Sequence, residues 1–165
     1  MAGRVLVMGI DPGSIVTGFG VVALDDAGAH PIAHGSVATS SKRPLAERLV
    51  LIHDEISRQI AKHRPDEIAV ESVFHAKNVR SALMLGHARG VAMLAASQAG
   101  IPVFEYAPRE VKLSVVGHGN ASKAQVASMV SRLLNLDIEG MREDESDAVA
   151  VAVCHCHKRA VSGAR

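Results

Sequence analysis

Only two of the 165 residues are cysteine, and they stand two positions apart near the C-terminus, as Cys154 and Cys156. That spacing excludes a disulfide framework and fits a reducing compartment. Nor does it make Cys154-His155-Cys156-His157 a zinc site, because residues two apart on a helix face different ways and do not converge on one ion. No apolar run is long enough for a membrane span. The first, Val5 to Ile10, is far too short and no cleavage-site pattern follows it, so a cytoplasmic protein is expected. Repeats and low-complexity segments are missing too. Tryptophan is absent and only Phe19, Phe74, Phe104 and Tyr106 are aromatic, so an aromatic in a polar setting is informative.

No sign of charge dominates, the formal net charge being +1, but the charges are unevenly spread. Between Ser72 and Leu136 there are seven basic residues (Lys77, Arg80, Arg89, Arg109, Lys112, Lys123 and Arg132) against two acids, Glu105 and Glu110. This stretch is a candidate phosphate-binding face, the alternative being a set of solvated helix faces. A hydrophobic share of 48% with 21% charged residues describes one globular domain over residues 1–165, with no room for a second. Its last six residues or so are expected to be a disordered tail.

What is present follows two periods. Val5 to Ile10 is a continuous apolar run, expected as a strand buried on both faces and ended by Asp11. After the turn pair Pro12-Gly13, strands are expected over Thr17 to Leu24 and from about Ala29 to Thr39, joined at Asp25 to Gly28, so three strands open the chain as a meander. Leu45, Leu49, Ile52, Ile56 and Ile60 mark an amphipathic helix that stops before Pro65. Ile68-Ala69-Val70 is a short strand ending at Glu71; a loop runs through Asn78, and a helix continues to about Ala99. Ile101 to Tyr106 is a fifth strand. Ser122 is an N-cap for a helix carrying Val126, Met129, Val130, Leu133 and Leu134, and a last helix runs from about Asp144 to Arg159. The expected order is βββαβαβαα, an α/β fold.

Two apolar strands therefore deliver carboxylates, Asp11 and Glu71, at their C-terminal ends, where α/β sheets build sites. In Asp144-Glu145-Ser146-Asp147 the i,i+3 spacing puts Asp144 and Asp147 on one helical face near the helix N-terminus. Four carboxylates sharing a cleft would repel one another and raise their pKa values, so the set calls for divalent metal. Oxygen-only ligands select Mg²⁺ or Mn²⁺. Two such ions activate a water on one side of a phosphodiester and stabilise the leaving 3′ oxygen on the other. The neighbouring acids Asp137, Glu143 and Glu145 are expected to be solvated surface.

Gly18-Phe19-Gly20-Val21-Val22-Ala23 matches the loose dinucleotide fingerprint, but no helix follows whose N-terminus would hold a pyrophosphate, and these glycines are expected to serve the hairpin backbone. Two other classes stay open. A strand-Asp-x-Gly opening also begins sugar kinases and actin-like ATPases, although nothing after residue 40 supplies their second loop and adenosine site. A non-catalytic junction-binding module would leave the carboxylates unexplained.

Gly9-Ile10-Asp11-Pro12-Gly13 with Thr17-Gly18-Phe19-Gly20, then Glu71-Ser72-Val73-Phe74 with Ala76-Lys77-Asn78, resembles the RuvC-type Holliday junction resolvases. Ser81-Ala82-Leu83, Leu85-Gly86, Ala88-Arg89-Gly90, Phe104-Glu105-Tyr106-Ala107, Val111-Lys112 and Val115-Val116-Gly117 follow in the family's order. Asp144-x-x-Asp147-Ala148, Ala150 and His155-Cys156-His157 complete a match over nearly the whole chain, and only Glu139 to Glu143 has no clear family pattern.

The resemblance implies a ribonuclease H-like fold with a five-stranded mixed sheet, and a homodimer that cuts opposed strands of four-way junctions in recombination and repair. It also implies docking on the RuvA–RuvB branch-migration complex. Carried over by position, Asp11, Glu71, Asp144 and Asp147 become the metal-binding catalytic carboxylates, holding two Mg²⁺ or Mn²⁺ ions. Lys112 and Lys123 become basic positions near the cleft, with Lys77 and Arg80 adding DNA contacts. Phe74, which opens a polar loop beside Glu71, would stack on a base at an opened junction. The dimer is expected to form through the helix after Asn78, where Gly86 and Gly90 at i,i+4 permit close approach; the alternative is a helix simply buried in the core.

Overall fold

The structure, a computed structural model, describes residues 3–72 and 76–163. A five-stranded sheet has the order β3-β2-β1-β4-β5, formed by β1 (Val5–Asp11), β2 (Val16–Asp25), β3 (Gly28–Ala38), β4 (Glu67–Glu71) and β5 (Val103–Tyr106). β1, β2 and β3 pair antiparallel, and β4 and β5 add on parallel beside β1, so the sheet is mixed as expected.

Each face of the sheet carries its own core. Because side chains alternate along a strand, Met8, Ile10, Ile68 and Val70 point to the face covered by α1 (Leu45–His63) and α2 (Val79–Gln98). Val7 and Ala69 point to the other, covered by α3 (Pro108–Val116), α4 (Lys123–Leu134) and α5 (Glu143–Gly163). The parity that sends Val7 and Ala69 toward α5 sends Gly9, Asp11 and Glu71 there as well.

Local chemistry accounts for the ends of the helices. α1 stops at Arg64, which takes the left-handed conformation before Pro65. Ser122 caps α4 reciprocally: its hydroxyl accepts from Gln125 N–H at 3.1 Å, and Gln125 Oε1 accepts from Ser122 N–H at 2.8 Å.

Two elements differ from expectation. α3 is additional, making the order βββαβαβααα. Pro108 at its first position and the Glu110 carboxylate, accepting from Ala107 N–H at 2.9 Å, start a helix only nine residues long, whose two buried residues are too few to show a period. α5 continues past Arg159 to Gly163, its end tied down by Lys158 to Glu110 and Arg159 to Glu67. No helix among the described residues is long and apolar enough to cross a membrane.

Candidate active site

α5 lies directly on the sheet because glycines face it. A Cβ at Gly18 would stand 2.0 Å from the Asp144 carbonyl oxygen, and one at Gly9 would stand 2.1 Å from that of Ala148. These are approaches that no side chain allows. Gly18 and Gly20 thus serve helix–sheet packing more than the hairpin to which the sequence assigns them. The contact brings the acidic first turn of α5 to the C-terminal ends of β1 and β4. There the partial positive charge of the helix N-terminus favours carboxylates.

Asp11, Glu71 and Asp147 line one cavity of about 220 Å³, walled by Pro108 and Val111 of α3, Val126 of α4 and Ala150 of α5. Lys112 and Lys123 close it. A larger cleft of about 800 Å³ opens at the other end of the strands, around Arg4, Asp25, Asp66 and Arg159, where the charges are of mixed sign. The smaller cavity, in which carboxylates converge beneath two lysines, is the one equipped for chemistry.

Burial raises the Asp11 carboxyl far above its ordinary range, and the charges of Glu71, Asp147 and Asp144 raise it further. Glu71 beside it is raised as well, by burial and by the charge of Asp147. Asp147 is raised chiefly by burial, and Lys123, with its Nζ 3.0 Å from Asp147 Oδ2, opposes the shift. Burial alone would lower Lys123, but its bonds to Glu143 and Asp147 hold its ammonium above the usual lysine value.

Three buried carboxyls thus crowd one cavity with one lysine bonded among them. Among the described residues no three His, Cys, Asp or Glu side chains already stand as a closed coordination set. The oxygen-only donors nevertheless fit a hard divalent cation, which would supply positive charge among them.

Of the expected site residues, Asp11, Glu71, Asp147, Lys112 and Lys123 are brought together. Asp144 stands beside them on the partly buried first turn of α5, close enough for its charge to act on Asp11 but outside the cavity lining. Lys77 and Arg80 are exposed at the start of α2, where Asn78 Oδ1 caps the helix by accepting from Ser81 N–H at 2.9 Å. Phe74 and His75 lie outside the described residues.

Glu145 is not the solvated acid expected of it. His34 Nδ1 and the Ser36 hydroxyl of β3 each bind its carboxylate at 2.8 Å, pinning the start of α5. Glu143 is exposed but pairs with Lys123, whereas Asp137 is surface. Two members of the basic stretch are also taken up, Arg89 by Glu105 at its own end and Lys123 by the site acids. The residues of Cys154-His155-Cys156-His157 diverge: both thiols are buried, His155 bridges Tyr106 and Glu67 at 2.7 Å each, and His157 lies 3.1 Å from the Ser114 carbonyl.

The chain resembles known proteins along nearly its whole length. The family model "Crossover junction endodeoxyribonuclease RuvC" matches residues 7–155. A protein of that name from Protochlamydia amoebophila is 46% identical over 94% of this chain and 92% of its own length. Another, from Syntrophotalea carbinolica, is 51% identical over 92% and 93%. The structure of T. thermophilus RuvC in complex with Holliday junction substrate superposes with a TM-score of 0.89 at 35% identity, covering 96% of both chains. The fold is accordingly the ribonuclease H-like one that the resemblance implied, and the chain belongs to the RuvC family of crossover junction endodeoxyribonucleases.

Proposed function

We propose that this protein resolves four-way DNA junctions by metal-dependent hydrolysis of phosphodiesters in opposed strands, in recombination and repair. The observation that carries the reading is the convergence of Asp11, Glu71 and Asp147 with Lys112 and Lys123 in one cavity at the C-terminal edge of the sheet. Asp11, Glu71, Asp147 and Asp144 would hold the cations, two Mg²⁺ or Mn²⁺. When bound, these supply an activated water and stabilise the charge on the leaving 3′ oxygen. Lys112 and Lys123 orient the phosphate, while Lys77, Arg80 and Phe74 contact the DNA arms and the opened junction. Neither a nucleotide-phosphate site nor a non-catalytic module accounts for the buried acid cluster.

Symmetric cutting needs two such sites related by a two-fold axis, and the α2 face is where we place it. Only an alanine stripe of α2, Ala88, Ala92, Ala95 and Ala96, is buried, whereas Val79, Leu83 and Leu94 are exposed. Gly86 and Gly90 look onto open space beside them. A second copy covering this face would form the homodimer, leaving the RuvA–RuvB complex as a further partner in the cytoplasm. The test is incubation with a synthetic four-way junction, a duplex and a single strand, with and without Mg²⁺ or Mn²⁺. Paired nicks in the junction alone, dependent on metal, are expected; cutting of all three alike, or of none, overturns the reading.

A further inference from the structure

Arg48 stands one turn before Ile52 on α1, so it falls on the stripe that faces the sheet and is only 4% exposed. No carboxylate pairs with it among the described residues. A buried guanidinium without an anion is costly unless its donors are used, and here they converge on the Ser14 carbonyl, with Nε also reaching the Thr39 hydroxyl at 3.3 Å. Nε and Nη2 donate to the Ser14 carbonyl at 3.0 and 2.6 Å. The Thr39 hydroxyl donates to the same oxygen at 2.8 Å, and Thr39 N–H donates to the Ile15 carbonyl at 2.7 Å.

Ser14 is in the turn that leaves Asp11. On its other side Thr17, fully buried, closes the turn: its hydroxyl donates to the Gly13 carbonyl at 2.7 Å and accepts from Gly13 N–H at 3.2 Å. The segment from Asp11 to Val16 is therefore gripped from both sides, by Thr17 from within and by Arg48 with Thr39 from the neighbouring helix and strand. Charge-assisted bonds are the stronger kind. A lysine, with one compact ammonium, cannot place two nitrogens on one carbonyl.

We propose that Arg48 is a positioning residue for cleavage, clamping the Ser14 carbonyl and so fixing the turn that aims the Asp11 carboxyl at Glu71 and Asp147. This rests on Asp11 being a metal ligand. Groups that orient ligands from behind typically change metal affinity by roughly 10–100-fold when lost.

The test is Mn²⁺-induced thermal stabilisation of the DNA-free protein, followed by the Mn²⁺ dependence of junction cleavage. Arg48→Met removes the clamp and the buried charge, Arg48→Lys keeps the charge, and Thr39→Val removes the other donor to the same oxygen. For Arg48→Met we expect metal-free junction binding at wild-type affinity and Mn²⁺ midpoints at least about tenfold higher in both assays, with Arg48→Lys intermediate and Thr39→Val shifted about threefold the same way. A merely structural role would lower the melting temperature but leave the Mn²⁺ midpoint in place. Should Arg48→Met not fold, wild-type midpoints in Arg48→Lys and Thr39→Val overturn the proposal. Asp11→Asn is the separate control: if it keeps the Mn²⁺ stabilisation, the metal-ligand reading of Asp11 fails, whereas its loss together with unshifted Arg48 variants refutes the clamp alone.

Discussion

Lys123 reaches across from the first turn of α4 to stand 3.0 Å from Asp147 of α5, while also pairing with Glu143. One ammonium therefore serves two carboxylates at the mouth of the cavity, within reach of a phosphate that enters it. Lys123→Ala and Lys112→Ala are each expected to weaken junction binding and to reduce the slope of log K against log salt by about 1. Titrations at several salt concentrations measure this, and a slope equal to wild type would show that the lysine makes no phosphate contact.

If Asp11 and Glu71 hold the metal as proposed, Asp11→Asn or Glu71→Gln removes one of its ligands. Junction cleavage should fall roughly 1,000-fold, the rate equivalent of several kcal/mol of lost charge stabilisation, with binding kept or tightened. Gel-shift and nicking assays on the same preparations decide it, since cutting near the wild-type rate is incompatible with the assignment.

Metal-free protein should lose stability as pH rises. An unfolded chain releases its carboxyl protons near pH 4, whereas the fold keeps that of Asp11 up to about 9 and raises Glu71 and Asp147 too. Between those limits the folded state binds more protons than the unfolded state, so stability falls with pH. In EDTA the melting temperature should decline from pH 6 to 9. Asp11→Asn should be the more stable protein at pH 8 and show a flatter profile, each kcal/mol being worth about 2–4 °C. Parallel profiles for the two proteins would contradict the raised Asp11 carboxyl.

Gly18→Ala tests the seating of α5. The added methyl would collide with the Asp144 carbonyl, so the first turn of the helix must shift. A stability cost of about 1–3 kcal/mol is expected, together with a loss of cleavage that exceeds the loss of folded protein, because Asp144 and Asp147 ride on that turn. Wild-type melting and cleavage would refute the close contact.

Assembly gives a last expectation: the protein should sediment as a dimer, and Leu83→Glu on the exposed α2 face should yield monomers that no longer make paired cuts. Mixed dimers of wild-type and Asp11→Asn chains should leave junctions nicked in one strand. A monomer that still resolves junctions symmetrically would remove α2 from the mechanism.

Much of the site was legible because strand-ending acids are conspicuous. Asp11 and Glu71 each interrupt an apolar run, and Asp144 with Asp147 recur at a helical interval. Glu145 was not legible, because its partners His34 and Ser36 lie more than a hundred residues away on β3. Arg48 was hidden as well. An arginine between Glu47 and Leu49 looks like a solvated charge until the sheet covers that side of α1. α3 escaped because nine residues with two inward positions carry no readable period.

The sequence by itself determined the five strands, four of the five helices and the acids that end β1 and β4, since runs, spacings and caps are local properties of the chain. The face on which those acids emerge was decided only by the tertiary structure. A continuous apolar strand has no alternation to show which parity meets α5, and that choice is made by pairing, where Gly9, Gly18 and Gly20 leave space for the helix backbone. The raised pKa of Asp11 and the sharing of Lys123 belong to the fold for the same reason. They arise from burial and from charges that separate strands and helices carry, and no segment of the chain holds them before those elements meet.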